Sequence, residues 1–113
     1  MSKIVEEFEE NELVSVAMQI ILHAGDARLN AEKSLAHAKK FEFDEAREQL
    51  AQAKENIRLA HVSQTNVIQN ESRGISYSYS LLFTHAQDTL MTINSEVRIA
   101  SELIDILDII KNK

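Results

Sequence analysis

Apolar residues recur along this chain with helical spacing, in three long segments. In the first, Leu13, Ala17, Ile20, Ala24, Ala27 and Ala31 follow at steps of 4, 3, 4, 3 and 4 residues. Such steps keep side chains on one face of a helix, whose turn takes about 3.6 residues. Val14, Met18 and Ile21 widen the stripe. Acidic residues suit the positive end of a helix, so the first helix is expected to start near Glu9 to Glu12. The pattern weakens at His37 to Lys40, where basic residues suit a C-terminus, and Phe41 to Asp44 reads as a turn with Asp44 as N-cap. Ahead of it, Ile4, Val5 and Phe8 among acidic residues leave open a loose tail or an extra packed turn.

The second segment repeats the seam. Phe43, Ala46, Leu50, Ala53, Ile57, Ala60, Gln64 and Val67 fall at alternating steps of 3 and 4, and Gln64 alone among them is polar. The pattern stops at Asn70 to Gly74, with the glycine as the stop signal. The third helix is expected to begin between Ser76 and Ser80, with Tyr77 to Tyr79 as its lead-in. Its main seam is Leu82, Ala86, Leu90, Ile93, Val97, Ala100, Ile104 and Leu107. A second row runs His85, Asp88, Thr92, Ser95, Ile99, Glu102 and Ile106, half polar at first and more apolar further on. Two stripes on one helix imply two burial surfaces, one inside the bundle and one against another subunit. The expected fold is therefore all-α: one domain over residues 1–113, an antiparallel up-down-up three-helix bundle with a surface for a further copy.

Composition narrows the chemistry. The chain of 113 residues has two glycines and no proline, which disfavours turn-rich sheet folds and glycine-rich phosphate loops. It has no cysteine, so thiolate metal sites, disulfides and cysteine nucleophiles are excluded. The balance of 12 basic and 18 acidic residues, with no basic run beyond Lys39-Lys40, lacks a nucleic-acid footprint. The most apolar run, Val14 to Leu22, is interrupted by Ser15 and Gln19 and is too short to span a bilayer. These features fit a soluble cytoplasmic protein.

Four histidines are present. His23 and His37 read as helix-surface or core-edge residues, and His61 is set apart by its position three residues before Gln64. If the turns centre near residues 41 and 74, then His61, Gln64, His85 and Asp88 lie at one end of the bundle. His85 carries the sharper chemistry. Asp88 lies three residues on, on the same face, and a carboxylate beside an imidazole can fix its tautomer and free the other nitrogen for attack. That arrangement suits a nucleophilic or phosphoryl-accepting histidine, and an imidazole of ordinary pKa, about 6.5, is mostly neutral near pH 7. The spacing alone fits an exposed surface pair equally well.

Longer segments add specificity. Leu81-Leu82-Phe83-Thr84-His85-Ala86-Gln87-Asp88-Thr89-Leu90-Met91-Thr92 resembles the signature of the lactose/cellobiose family of IIA components. These belong to the bacterial phosphoenolpyruvate-dependent sugar phosphotransferase system. Ala24-Gly25-Asp26-Ala27-Arg28 and Ala60-His61-Val62-Ser63-Gln64-Thr65 are similar to that family's helix-one and helix-two motifs, in the same order. The resemblance implies a homotrimer of three-helix bundles in which His85 accepts a phosphoryl group from phospho-HPr. The group then passes to a cysteine of a IIB component that works with a membrane IIC permease. It implies Asp88 near the trimer axis with a divalent cation, magnesium fitting best. Gln64, Gln87 and His61 are the candidate contacts to phosphate or partner. Where the family commonly has a second histidine, four residues after the first, this chain has Thr89. The competing expectation is a non-catalytic interaction or regulatory module of the same ancestry.

Overall fold

The computed structural model describes residues 3–77 and 79–113, with side chains from Glu12 onward. Three helices make up the ordered elements: α1 (Lys3–Ala38), α2 (Phe43–Ser72) and α3 (Leu81–Lys111). They run up, down and up in a rod of 65 × 21 × 18 Å. No strand occurs among the described residues.

The seams read from the sequence are the core. Leu13, Ala17, Ile20, Ala24, Ala27 and Ala31 of α1 are all buried. So are Ala46, Leu50, Ala53, Ile57, Ala60 and Val67 of α2, and Ala86, Leu90, Ile93, Val97, Ala100 and Ile104 of α3. Phe83 and Ala38 join this core, and so does Ser34, whose Oγ donates to the Ala31 carbonyl at 2.8 Å. Many of these positions are alanine, which brings the helices close together. Gln64, the polar member of its seam, is half-buried at the edge.

α1 begins at Lys3, earlier than the acidic residues suggested. No glycine or proline precedes Gly25, so nothing breaks the helix before Glu9. The side chains of Ile4, Val5 and Phe8 lie outside the described residues. Asp44 is not the cap of α2: Glu42 holds the N-cap position, and Asp44 lies inside the first turn. Phe41 makes the preceding turn with a left-handed backbone, φ 61°. Glu42 gives α2 no side-chain cap; its carboxylate accepts from His37 Nδ1 at 3.0 Å. The α2 end follows expectation, with Gly74 at φ 92° and the Ile75 amide closing onto the Asn70 carbonyl at 2.9 Å. Ser80 caps α3, its Oγ accepting from the Phe83 amide at 3.1 Å.

Polar links between helices fix their rotation. Arg28 of α1 grips Glu96 of α3 through Nε and Nη2 at 2.9 and 2.8 Å. Arg47 of α2 bridges Asp105 and Asp108 of α3 at 2.9 and 2.8 Å. Asn56 donates to Asn30 at 2.9 Å, and Asn30 donates to Gln49 at 3.0 Å, joining α1 to α2.

Candidate functional site

His85 stands in the second turn of α3, one turn beyond the Ser80 cap. Its neighbours in sequence divide sharply. Phe83 and Ala86 point into the core, Thr84 and Gln87 are half-buried, and His85 and Asp88 are exposed. An exposed imidazole on a rigid, capped helix is open to attack a group brought by another protein. Asp88 is one turn along the same face. Among the described residues the two form no ion pair with each other.

The interhelical links show which way each side chain leans. Glu96 leads toward α1, because it binds Arg28. His85 is 11 residues earlier, three turns and about 20°, so it shares that flank. Asp105 leads toward α2, because it binds Arg47. Gln87 is 18 residues earlier, five whole turns, so it lies on the α2 flank. On α2, His61 stands 14 residues beyond Arg47, within about 40° of it around the helix, and so also faces the α2–α3 seam. Gln64 donates from Nε2 to His61 Nδ1 at 3.2 Å. The four residues grouped from sequence thus divide within one chain. His61 and Gln64 form a pair on the α2–α3 seam with Gln87, while His85 and Asp88 look outward and toward α1.

Beside Thr84 and Gln87, a groove of about 320 Å³ opens between the end of α2, the start of α3 and Leu13 of α1. Tyr77, Tyr79, Ser80 and Phe83 wall it, with Glu71 at its α2 side. Tyr77 is held there by its hydroxyl, which accepts from Asn70 Nδ2 at 2.8 Å. Sequence spacing identifies Tyr77 to Tyr79 only as a lead-in to α3. That they enclose a groove follows from the fold, and the nearest sequence signal is two aromatics in a short connection before a Ser cap.

Three copies' worth of Asp88 would be required for a cation. Among the described residues no three His, Cys, Asp or Glu side chains converge to hold a metal ion. Asp88 supplies one carboxylate per chain, on the outer face of α3. Glu96 on this flank is a perturbed titrating group. Its hydrogen bonds from Arg28 hold its carboxyl below the ordinary 4.5. No helix among the described residues is long and apolar enough to cross a membrane.

The outer face of α3 continues as an apolar stripe. Ile99 is 60% exposed and Ile106 49%, with Leu103 and Ile110 beside them. A second groove of about 390 Å³ runs between this stripe and Arg28, Ala31 and Leu35 of α1.

Comparison with known proteins gives consistent findings. Residues 15–108 match the family described as PTS system, lactose/cellobiose specific IIA subunit. The lichenan-specific phosphotransferase enzyme IIA component of Bacillus subtilis is 39% identical over 97 residues, covering 86% of this chain and 88% of that one. The N,N'-diacetylchitobiose-specific EIIA component of Escherichia coli K12 is 33% identical over 103 residues, covering 91% and 89%. Among solved structures, the cellobiose-specific enzyme IIA from Bacillus anthracis superposes with a TM-score of 0.84 at 35% identity, covering 100% of this chain and 95% of that one. The IIA(chitobiose) of Escherichia coli, solved in complex with HPr, gives 0.76 at 32% identity, covering 88% and 96%.

Proposed function

The chain belongs to the lactose/cellobiose-specific IIA family of the phosphotransferase system, and from that premise we propose that it is a cytoplasmic phosphocarrier whose phosphoryl acceptor is His85. The donor is phospho-HPr, in keeping with the HPr complex formed by a similar chain. The recipient is the cysteine of a IIB component, which serves a membrane IIC permease for a sugar of the lactose/cellobiose type.

The observation that carries this reading is the placement of His85. It is exposed on a capped helix, in the segment Thr84-His85-Ala86-Gln87-Asp88, in a chain whose residues 15–108 match the family. The step is an in-line displacement. A neutral ring nitrogen of His85 attacks phosphorus and a P–N bond forms. The bond from phosphorus to the donor's leaving atom breaks, and that atom keeps the electron pair. In the onward step the IIB thiolate attacks phosphorus and the imidazole leaves as a neutral ring. Such transfers depend on positioning and charge stabilisation more than on covalent chemistry. Asp88, one turn away, orients the imidazole or, paired with its copies, holds a divalent cation.

The same reading includes a homotrimer. The Ile99–Ile106 stripe has no partner within one chain, and its exposure supports burial against further copies. Three Asp88 carboxylates then approach one axis. Oxygen ligands and the absence of thiolates suit a hard cation such as magnesium, which three carboxylates would hold where one does not.

The test is incubation with phosphoenolpyruvate, enzyme I and HPr. Acid-labile, alkali-stable label on the parent chain, and none on His85→Ala, is the expected result. Label of equal extent on both chains removes His85 from the role. Label that never moves on to a IIB component favours a regulatory module over a carrier.

A further inference from the structure

Gly25 stands in the interior of α1, in a chain with two glycines. The other, Gly74, makes a turn at φ 92°, whereas Gly25 keeps a negative φ within the helix. Glycine weakens a helix interior relative to alanine, and it is favoured where the backbone needs positive φ or where another group approaches closely. Neither reason holds within one chain. Among the described residues, a Cβ placed on Gly25 would meet nothing within 4 Å. The surrounding positions show what kind of group approaches from outside. Met18, Leu22, Gly25, Leu29 and Glu32 recur at steps of 4, 3, 4 and 3, the spacing of a helix-packing seam. This seam faces solvent: Met18, Leu22 and Leu29 are all exposed, Leu22 at 63%. Arg28, one turn beyond Gly25, reaches across to Glu96, so the seam borders the α1–α3 groove whose far wall carries Ile99 and Leu103.

We propose that α3 of a second copy lies along this groove and packs across α1 at Gly25. This rests on the reading of the chain as a homotrimer, and it adds α1 to the surface that binds the next copy. The occupant follows from height, size and charge. α1 and α3 run parallel, and the Arg28–Glu96 pair sets residues 68 apart at one level. Gly25 is therefore level with Ile93. A closed ring of three turns about one axis, and both apolar stripes run along the rod, so equivalent residues keep equal heights in every copy. Beside that height on α3 stand Thr92 and Ser95, exposed and small. Leu22 and Leu29 flank the contact one turn to either side, where α3 presents Asp88 and Ile99. Small residues meeting at one point let two helix axes approach toward the near end of the usual range of about 8–10 Å. Arg98 continues the face of Ser95 three residues on. It is exposed, and among the described residues neither it nor Glu32 forms an ion pair. Arg98 is level with Asn30, two residues or about 3 Å from the height of Glu32. The same packing thus brings a cation of one copy to a carboxylate of the next.

The test is sedimentation equilibrium of the full chain, with helicity followed by circular dichroism. Alanine and leucine are better helix formers than glycine and enter open space in a single chain, so Gly25→Ala and Gly25→Leu should keep or raise helicity. Association of Gly25→Leu should nevertheless weaken about tenfold or more, the scale of overpacking a close contact, with Gly25→Ala moving in the same direction. Glu32→Arg and Arg98→Glu should each weaken association about threefold or more, and the double reversal should recover most of that loss. Gly25→Leu associating as tightly as the parent, or a double reversal no tighter than the single changes, overturns the packing at Gly25. Parental association of Gly25→Leu with slower labelling by phospho-HPr assigns the contact to another protein and overturns the second copy as occupant. A parent that is monomeric at every concentration overturns the trimer reading and this packing with it, whereas an assembled parent with an unaffected Gly25→Leu overturns the packing alone.

Discussion

Replacing Ile99 with alanine should dissociate the assembly without unfolding the chain. In one chain Ile99 is 60% exposed, so most of its side chain is still in water. Truncation to alanine removes three carbons, worth about 2.4 kcal/mol at about 0.8 per methylene if wholly transferred from water. Only the 60% still exposed is available for burial between copies, about 1.4 kcal/mol per chain. Three chains lose about 4 kcal/mol together, close to a thousandfold in the trimer association constant. The bundle core is untouched, and alanine is the better helix former, so the monomer should keep its helicity. Sedimentation equilibrium over a wide concentration range measures this. The parent should fit a trimer and Ile99→Ala a monomer–trimer mixture shifted to far higher concentration. An unchanged mass distribution would refute the assignment of the α3 stripe to self-association. A parent that is monomeric at every concentration would refute the trimer.

Two other expectations concern charge. If three Asp88 carboxylates meet at an axis, each like-charge pair costs about 4 kcal/mol at about 4 Å and an effective dielectric of 20, before screening. Asp88→Leu should then keep the trimer and raise its melting temperature in chelator, while chelator lowers that of the parent. A chelator-insensitive parent together with a lower-melting Asp88→Leu would leave Asp88 as the residue that orients His85. The Arg28–Glu96 pair sets an acid limit. Its hydrogen bonds lower the folded pKa of Glu96, so its stabilisation is present above the ordinary 4.5 and is lost as pH falls through the lower folded value. The pair is nearly half exposed on both sides, so the effect is small and weakens with salt. Melting temperatures of parent and Glu96→Gln should differ at pH 7 and converge in acid; a difference that grows in acid would reverse the sign.

The core was legible because a long helix in a small bundle must repeat its apolar positions every three or four residues. Leu13 to Ala31, Ala46 to Val67 and Ala86 to Ile104 obey that repeat, and every apolar member of those seams is buried, while Gln64, Phe43, Leu82 and Leu107 are half-buried at the edges. Boundaries were less legible. The acidic run before Glu12 favours a helix start by electrostatics, yet carboxylates also tolerate helix interiors, and α1 runs through them from Lys3. Asp44 looked like a cap by residue type. The left-handed Phe41 turns the chain earlier and places Glu42 at the cap position, with its carboxylate bound to His37. For the site, counting from the turns gives height along the bundle but not rotation about each helix. Rotation is set by distant pairs, Arg28 with Glu96 and Arg47 with Asp105, and these put His85 and the His61–Gln64 pair on different flanks. The groove at Tyr77 and Tyr79 depends on how the α2–α3 connection folds back on Asn70, which no periodicity encodes.

The most direct test of the carrier account is transfer of labelled phosphate from phosphoenolpyruvate through enzyme I and HPr, followed by peptide mapping of the label. The account predicts one acid-labile phosphohistidine at His85, absent from His85→Ala and chased onto a IIB cysteine. Label mapped to His61, His23 or His37, or retained in full by His85→Ala, would contradict it.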